Sequence, residues 1–331
     1  MLIPIELQGT KIKRLNDELE PFTFKSLGLK ESDIEDFLRE NIDLLVDENE
    51  SLLTVGQQVR NSVNARTDLV AVDEQGNLVL IEIKRDMEDI VHRRESFEFQ
   101  AVRYAASLAK VKTIEELVAN IYAPYIERTQ GEKNSGLTPT EKATRLLIEF
   151  LHQNDSERTF NRKQRIILVA SRFDEQTLSA CAWLITNGVD IRCYNIQPVK
   201  ITDGFYLEVN KELPVSVLDD YFTEINPVNT QSRKPKQGKS EKRYLPRMRE
   251  LMEWELISKD ATVLIKNYPG SSATVLDDKY VMHQGNKMTY NEWGKSVTGW
   301  SAMSVYEWIV VEGGTKTVHE LRLEKMEEES N

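Results

Sequence analysis

The sequence predicts an α/β fold, a mixed sheet flanked by helices, followed by a second small α+β domain. Three observations predict it. Residues 66–84 hold two apolar runs around the polar turn Asp73-Glu74-Gln75-Gly76-Asn77, a hairpin pattern. Arg165 to Ser171, Glu175 to Asn187 and Ile191 to Ile196 read as strand, helix and strand with short connections, which argues a parallel crossover. Beyond residue 250 the composition changes: Trp254, Trp293, Trp300 and Trp308, four of the five tryptophans, cluster there.

Residues 1–27 read as short strands and turns. Lys30 to Val46 reads as an amphipathic helix with Ile34, Phe37, Leu38, Ile42 and Leu45 inward and Ser32 as N-cap. Leu52 to Val59 is the first core strand, and the hairpin follows. Glu95 to Val111 is helical, because Phe97, Gln100, Ala101, Tyr104, Leu108 and Val111 share one face at a 3.6-residue period. Residues 113–162 read as a mostly helical insertion, broken at 129–136. Its last helix is capped by Thr138 with Pro139 in the first turn. Domain boundaries follow: 1–225, a linker at 226–249, and 250–331.

The hairpin carries the chemistry. Strand side chains alternate, so Leu80, Glu82 and Lys84 project to one side of the second strand and Val79, Ile81 and Ile83 to the other. Asp68, in the preceding strand, meets Glu82 across the pair. Two carboxylates and an ammonium thus converge on an apolar sheet, where burial costs several kcal/mol without a compensating partner or metal. Such a set suits metal-assisted phosphodiester hydrolysis. Hard oxygen ligands hold Mg²⁺ or Mn²⁺, the ion activates water and screens phosphate charge, and Lys84 orients the attacking water. The plainer alternative is a surface hairpin with an ordinary Glu–Lys pair.

Asp68, then thirteen residues, then Glu82-Ile83-Lys84 resembles the signature of the PD-(D/E)xK nuclease superfamily, and Gln100-Ala-Val-Arg-Tyr104 resembles the Gln-xxx-Tyr motif of its RecB-type members. The resemblance spans roughly residues 30–215. Thr67 stands where the family carries a proline. The resemblance implies a restriction-endonuclease-like fold and Mg²⁺ or Mn²⁺ held by Asp68, Glu82 and the backbone carbonyl of Ile83. It also implies catalytic roles for Lys84, Gln100 and Tyr104. A glutamate of the first helix often completes such a site; Glu40, beside the apolar stripe, is the first choice and Glu35 the second. The plainer alternative for Gln100 alone is a buried amide capping a strand end.

The stretch from Ala273 to Gly299, continuing through Tyr306-Glu-Trp308 to Leu321-Arg322, resembles the RAMA domain of restriction and methylation systems. That implies DNA recognition, with Trp293 and Trp300 as stacking residues; a small aromatic core is the alternative for each. Gly294-Lys295-Ser296 is no phosphate loop, since Thr289 stands where the earlier glycine is required.

The net charge of −11 does not by itself favour DNA. Residues 231–249, however, hold eight Lys or Arg against one Glu, so Arg233, Lys234, Lys236, Lys239, Lys242 and Arg243 are expected phosphate contacts or part of a solvated tether. Arg66 and Arg85, flanking the acidic residues, are expected to meet DNA as well. Charged residues at 29 % match ordinary globular proteins, and no apolar run spans a membrane, so a cytoplasmic protein without membrane contact is expected. Cys181 and Cys193 make neither a disulfide framework nor a zinc site.

Three function classes remain. The first is a metal-dependent DNA endonuclease of prokaryotic restriction or defence, cutting with the N-terminal domain and recognising its target with the C-terminal one. The second is a repair nuclease for branched, mismatched or single-stranded DNA. The third is a catalytically silent DNA-binding protein. Double-strand cleavage would favour a homodimer, because one such site cuts one strand.

Overall fold

The structure is a computed structural model that describes residues 5–8, 11–14, 22–60, 66–91, 95–130, 136–201, 204–215, 218, 221 and 245–330. The expected basic linker, with Arg233, Lys234, Lys236, Lys239, Lys242 and Arg243, lies outside these residues.

Two short strands, β1 (Ile5–Gln8) and β2 (Lys11–Arg14), pair antiparallel at the start. Helix α1 (Glu31–Glu40) follows, and the chain then tightens into a 3-10 turn, Ile42–Leu45. The expected single helix over 30–46 is therefore interrupted at Asn41. Its cap is Lys30, whose N–H donates to the Asp33 carboxylate at 2.8 Å, rather than Ser32.

The main sheet is built from β3 (Leu52–Arg60), β4 (Arg66–Asp73), β5 (Leu78–Lys84), β6 (Gln164–Ala170), β7 (Asp190–Ile201) and β8 (Gly204–Leu213), in that spatial order. The β5–β6 and β6–β7 pairs are parallel and the others antiparallel. The mixed sheet and the parallel crossover thus match expectation; β8 adds a strand the sequence reading lacked.

Helices α2 (Met87–Val91), α3 (Phe97–Leu108), α4 (Ile114–Leu117), α5 (Ala123–Gln130) and α6 (Pro139–Gln153) lie between β5 and β6 in the chain, with a π turn at Val118–Tyr122 joining α4 to α5. Thr138 caps α6 with Glu141 in a reciprocal box, as its sequence implies. Helix α7 (Glu175–Thr186) forms the crossover.

Every residue of β5 is buried, because both faces of the sheet are covered. Leu78 and Leu80 join Val70, Val72, Phe97 and Phe150 on one face; Val79, Ile81 and Ile83 join Leu69, Ile34 and Leu38 on the other. The two-residue alternation read from the sequence therefore holds.

After α8 (Met248–Glu253), a second, antiparallel sheet contains β9 (Thr262–Ile265), β10 (Ala273–Val275), β11 (Tyr280–His283), β12 (Asn286–Thr289) and β13 (Ile309–Val311), in the order β12-β11-β10-β9-β13. Helices α9 (Tyr290–Thr298), α10 (Val305–Trp308) and α11 (Val318–Ser330) complete it. This part docks closely on the first. Leu52 N–H donates to Ala302 O at 3.1 Å, and Ser301 and Ala302 N–H donate back to Leu52 O. The Trp300 indole stands edge-on to Phe150 of α6, centroids 5.0 Å apart. Arg322 of α11 is fully buried; its guanidinium meets Glu48 and Asn49 and lies 4.3 Å over the Tyr306 ring. Among the described residues no helix is long and apolar enough to cross a membrane.

Candidate active site

At the C-terminal end of β5 the sheet carries three buried ionisable side chains, Asp68 (6 % exposed), Glu82 (1 %) and Lys84 (2 %). Strand geometry puts them there. Leu69 pairs with Ile81, so Asp68 lies one step beyond, opposite Glu82. Asp68 Oδ2 accepts a hydrogen bond from Ile83 N–H at 2.8 Å, which fixes its carboxylate across the strand gap. The Lys84 ammonium donates to Ile83 O at 2.6 Å and to Glu82 Oε1 at 3.3 Å. It stands 3.9 Å from Asp68 Oδ2 and 3.5 Å from Glu31 Oε1. Below it, the Phe97 ring centroid of α3 is 5.4 Å away.

Helix α1 adds a fourth buried group, Glu35 (2 % exposed), and here an expectation is corrected. Glu40, the first choice for completing the site, is exposed at the last position of α1, where its carboxylate pairs with Arg39. Glu35 points inward instead. The stripe that α1 buries is Ile34, Glu35 and Leu38, while Phe37, expected inward, is 41 % exposed. Gln58 of β3 donates its amide to Glu35 Oε2. The other oxygen, Oε1, is buried without a hydrogen-bond partner among the described residues. Burial, then the charge of Asp68, raises the Glu35 carboxyl to about 7. Glu31, one helical turn before Glu35, brings its carboxylate to Lys84 on the same face.

Gln58 reaches Glu35 because β3 is kinked. The ladder slips between Thr54 and Gly56, and Gln58 takes a left-handed φ of 55°. Gly56 lets the bend pack tightly, since a Cβ there would lie 2.6 Å from Val59 Cγ2 and 2.8 Å from Ile121 Cγ2 and force those side chains to shift.

Gln100 and Tyr104 sit on α3, which packs over β5 and β6. The Gln100 amide donates to Tyr104 Oη at 3.0 Å, and both side chains are half-buried, one turn beyond Phe97. Arg66 is exposed at the start of β4. Arg85 does not face outward as expected. Its guanidinium pairs with Asp86 and Asp89 at 3.2 Å each and reaches Leu29 O, tying the 22–30 segment to α2. Trp293 (0 % exposed) and Trp300 (3 %) are core residues with no face open to a base, which corrects their assignment as stacking residues. Trp293 Nε1 donates to Ser271 O, and Trp300 packs edge-on against Phe150 and Trp308.

Two buried carboxylates, Asp68 and Glu82, stand within 4 Å of one buried ammonium, Lys84, and burial of the nearby Glu35 disfavours a further negative charge there. Among the described residues no three His, Cys, Asp or Glu side chains form a ready-made metal cage. The oxygen donors gathered here are two carboxylates, Asp68 and Glu82, and the Ile83 carbonyl, which already accepts from Lys84 at 2.6 Å. Mg²⁺ commonly retains several waters in such sites. A second buried charge cluster, at the opposite end of the sheet, is already balanced: Arg165 pairs with Glu50, Asp73 and Asp190, and Arg192 with Glu50. Comparison of the chain with family models, curated proteins and solved structures found no match.

Proposed function

We infer that the chain is a metal-dependent deoxyribonuclease hydrolysing phosphodiester bonds at the Asp68–Glu82–Lys84 site, with a restriction-endonuclease-like core. The observation that carries this reading is the buried Lys84 ammonium, within 4 Å of both Asp68 and Glu82 at the mouth of a fully covered strand. A buried charged triad serves stability poorly compared with apolar packing, and such arrangements gather at functional sites.

Asp68 and Glu82, with the Ile83 carbonyl, would hold Mg²⁺ or Mn²⁺, which when bound lowers the pKa of water and neutralises phosphate charge. Lys84 supplies the fixed positive charge that orients a water and stabilises the extra negative charge on the phosphate in the transition state. Glu35, held by Gln58, adds a carboxylate from α1. The Gln100–Tyr104 pair aligns the water from α3. The C-terminal part, in this reading, contributes target recognition through its surface rather than through its buried tryptophans.

The test is incubation of the full-length protein with Mg²⁺ or Mn²⁺ and plain, methylated, hydroxymethylated and branched DNA. Cleavage abolished by Asp68→Ala supports the reading. Absence of cleavage on every substrate with both metals would reject it in favour of a silent binding protein, and cleavage confined to branched DNA would favour repair.

A further inference from the structure

We propose that the pocket between β3, β4 and α5 is a phosphate subsite, which receives a nucleic-acid strand one or two nucleotides away from the phosphate that reaches Asp68. The pocket encloses about 450 Å³ and is lined by Gln58, Arg60, Arg66, Asn120 and Arg128, with Ile121 in its wall. This rests on the nuclease reading for what lies beside it, but its own argument is electrostatic.

Arg60 and Arg66 are the last partners of the β3–β4 ladder, directly opposite one another. Like charges so placed repel, and the arrangement costs stability unless an anion lies between them. Arg128 comes in from α5, steadied by donation from Nη2 to Gln57 O at 2.6 Å. Among the described residues none of the three guanidinium groups has a carboxylate partner, although the chain as a whole carries a net charge of −11. Acidic residues are abundant, and the largely buried arginines of the sheet, Arg165 and Arg192, are matched to them. Three guanidiniums lining one concavity, with no carboxylate partner among the described residues, favour an anionic ligand, and the fork of donors on each suits phosphate oxygens. Asn120 adds a neutral amide to the lining.

Position selects a strand over a free anion. Arg66 and Asp68 are two residues apart on β4, so their side chains share a face roughly 7 Å apart. That is about two rises of 3.4 Å along one strand of a duplex. Gln58 joins the two places physically, lining the pocket while its amide holds Glu35 at the acidic site.

The test is fluorescence anisotropy of the full-length protein with a labelled single strand and a labelled duplex, in EDTA so that nothing is cut, from 50 to 300 mM salt. Arg60→Gln and Arg66→Gln each should weaken binding about 3- to 10-fold, and the double variant should lower the salt-dependence slope by about 2. Both side chains are exposed, and Arg60→Lys with Arg66→Lys should keep most of the slope while confirming that the fold tolerates change. Unaltered affinity and slope in the double Gln variant would overturn the proposal, as would wild-type protein that binds neither strand nor duplex. Competition by free pyrophosphate as strong as by the oligonucleotide would make the pocket a small-anion site and overturn the strand assignment. Binding lost in the double variant, from a wild-type protein that cuts no DNA with either metal, would sink the nuclease reading and leave the strand site standing.

Discussion

Lys295 of α9 donates to the backbone carbonyl of Glu40 at 3.1 Å and pairs with Asp43 at 2.5 Å. The C-terminal part thus grips the end of the helix whose first turns deliver Glu31 and Glu35 to the acidic site. A cation at a helix C-terminus is favourable, and this one is largely shielded from water. Lys295→Ala should lower the unfolding free energy by about 1 kcal/mol, read from urea denaturation. A midpoint identical to wild type would show that the contact adds nothing.

The acidic site predicts a separation of cutting from holding. Asp68→Ala and Lys84→Ala should abolish cleavage while DNA affinity changes less than about threefold, since phosphate contacts elsewhere supply most of the binding. Full activity in either variant would remove the site from consideration.

Gln100→Ala should slow cleavage without unfolding the protein, because the amide is half-buried and its hydrogen bond to Tyr104 is worth only about 1 kcal/mol. Single-turnover rates alongside thermal melts separate the two effects. A rate loss no larger than the stability loss explains would assign Gln100 to structure alone.

Glu74 predicts a pH dependence of stability. Burial raises its carboxyl to about 7 from 4.5, against the donation it receives from Ser51 N–H. The folded protein therefore binds a proton that the unfolded chain releases at lower pH. Its contribution is full below about pH 4.5 and is lost as pH rises through 7. Glu74→Gln should flatten the fall in unfolding free energy across that window; an unchanged slope would show that Glu74 titrates normally.

Trp300→Ala should act as a core mutation, costing about 3–5 kcal/mol, because its indole lies between Phe150 and Trp308. Deleting 245–331 should likewise lower thermal stability by baring Phe150 and the outer side of β3. A tryptophan variant with normal melting but weakened DNA binding would restore the base-stacking role.

What could be read from the sequence was local. Asp68, Glu82 and Lys84 were legible because strand alternation and one short turn determine where they point. The choice between Glu40 and Glu35 was not, because an apolar stripe predicts that Phe37 turns inward and cannot foresee that Gln58, reached through a kinked strand, compensates a buried glutamate. The four-residue spacing of Glu31 and Glu35 was the available signal. Strand β8 was hidden because Lys211, paired with Asp47, stands among the alternate apolar residues Leu207, Val209 and Leu213 and breaks their pattern at the sheet edge. Trp293 and Trp300 look the same in sequence whether they line a surface or fill a core. Arg60 and Arg128 are brought together only by the packing of α5 on β3, which no local pattern encodes.

The backbone bridge between Leu52 and Ala302 sets a clock on synthesis. At roughly 5–20 residues per second, residue 302 leaves the ribosome about 12–50 seconds after residue 52. For that interval Leu52, on the outer edge of β3, lacks its backbone bridge, and that edge is open to pairing with other chains. A bacterial or cell-free system that stalls translation between the two positions should therefore accumulate chains needing chaperone protection, until the last eighty or so residues arrive to cover the Leu52 end of that edge.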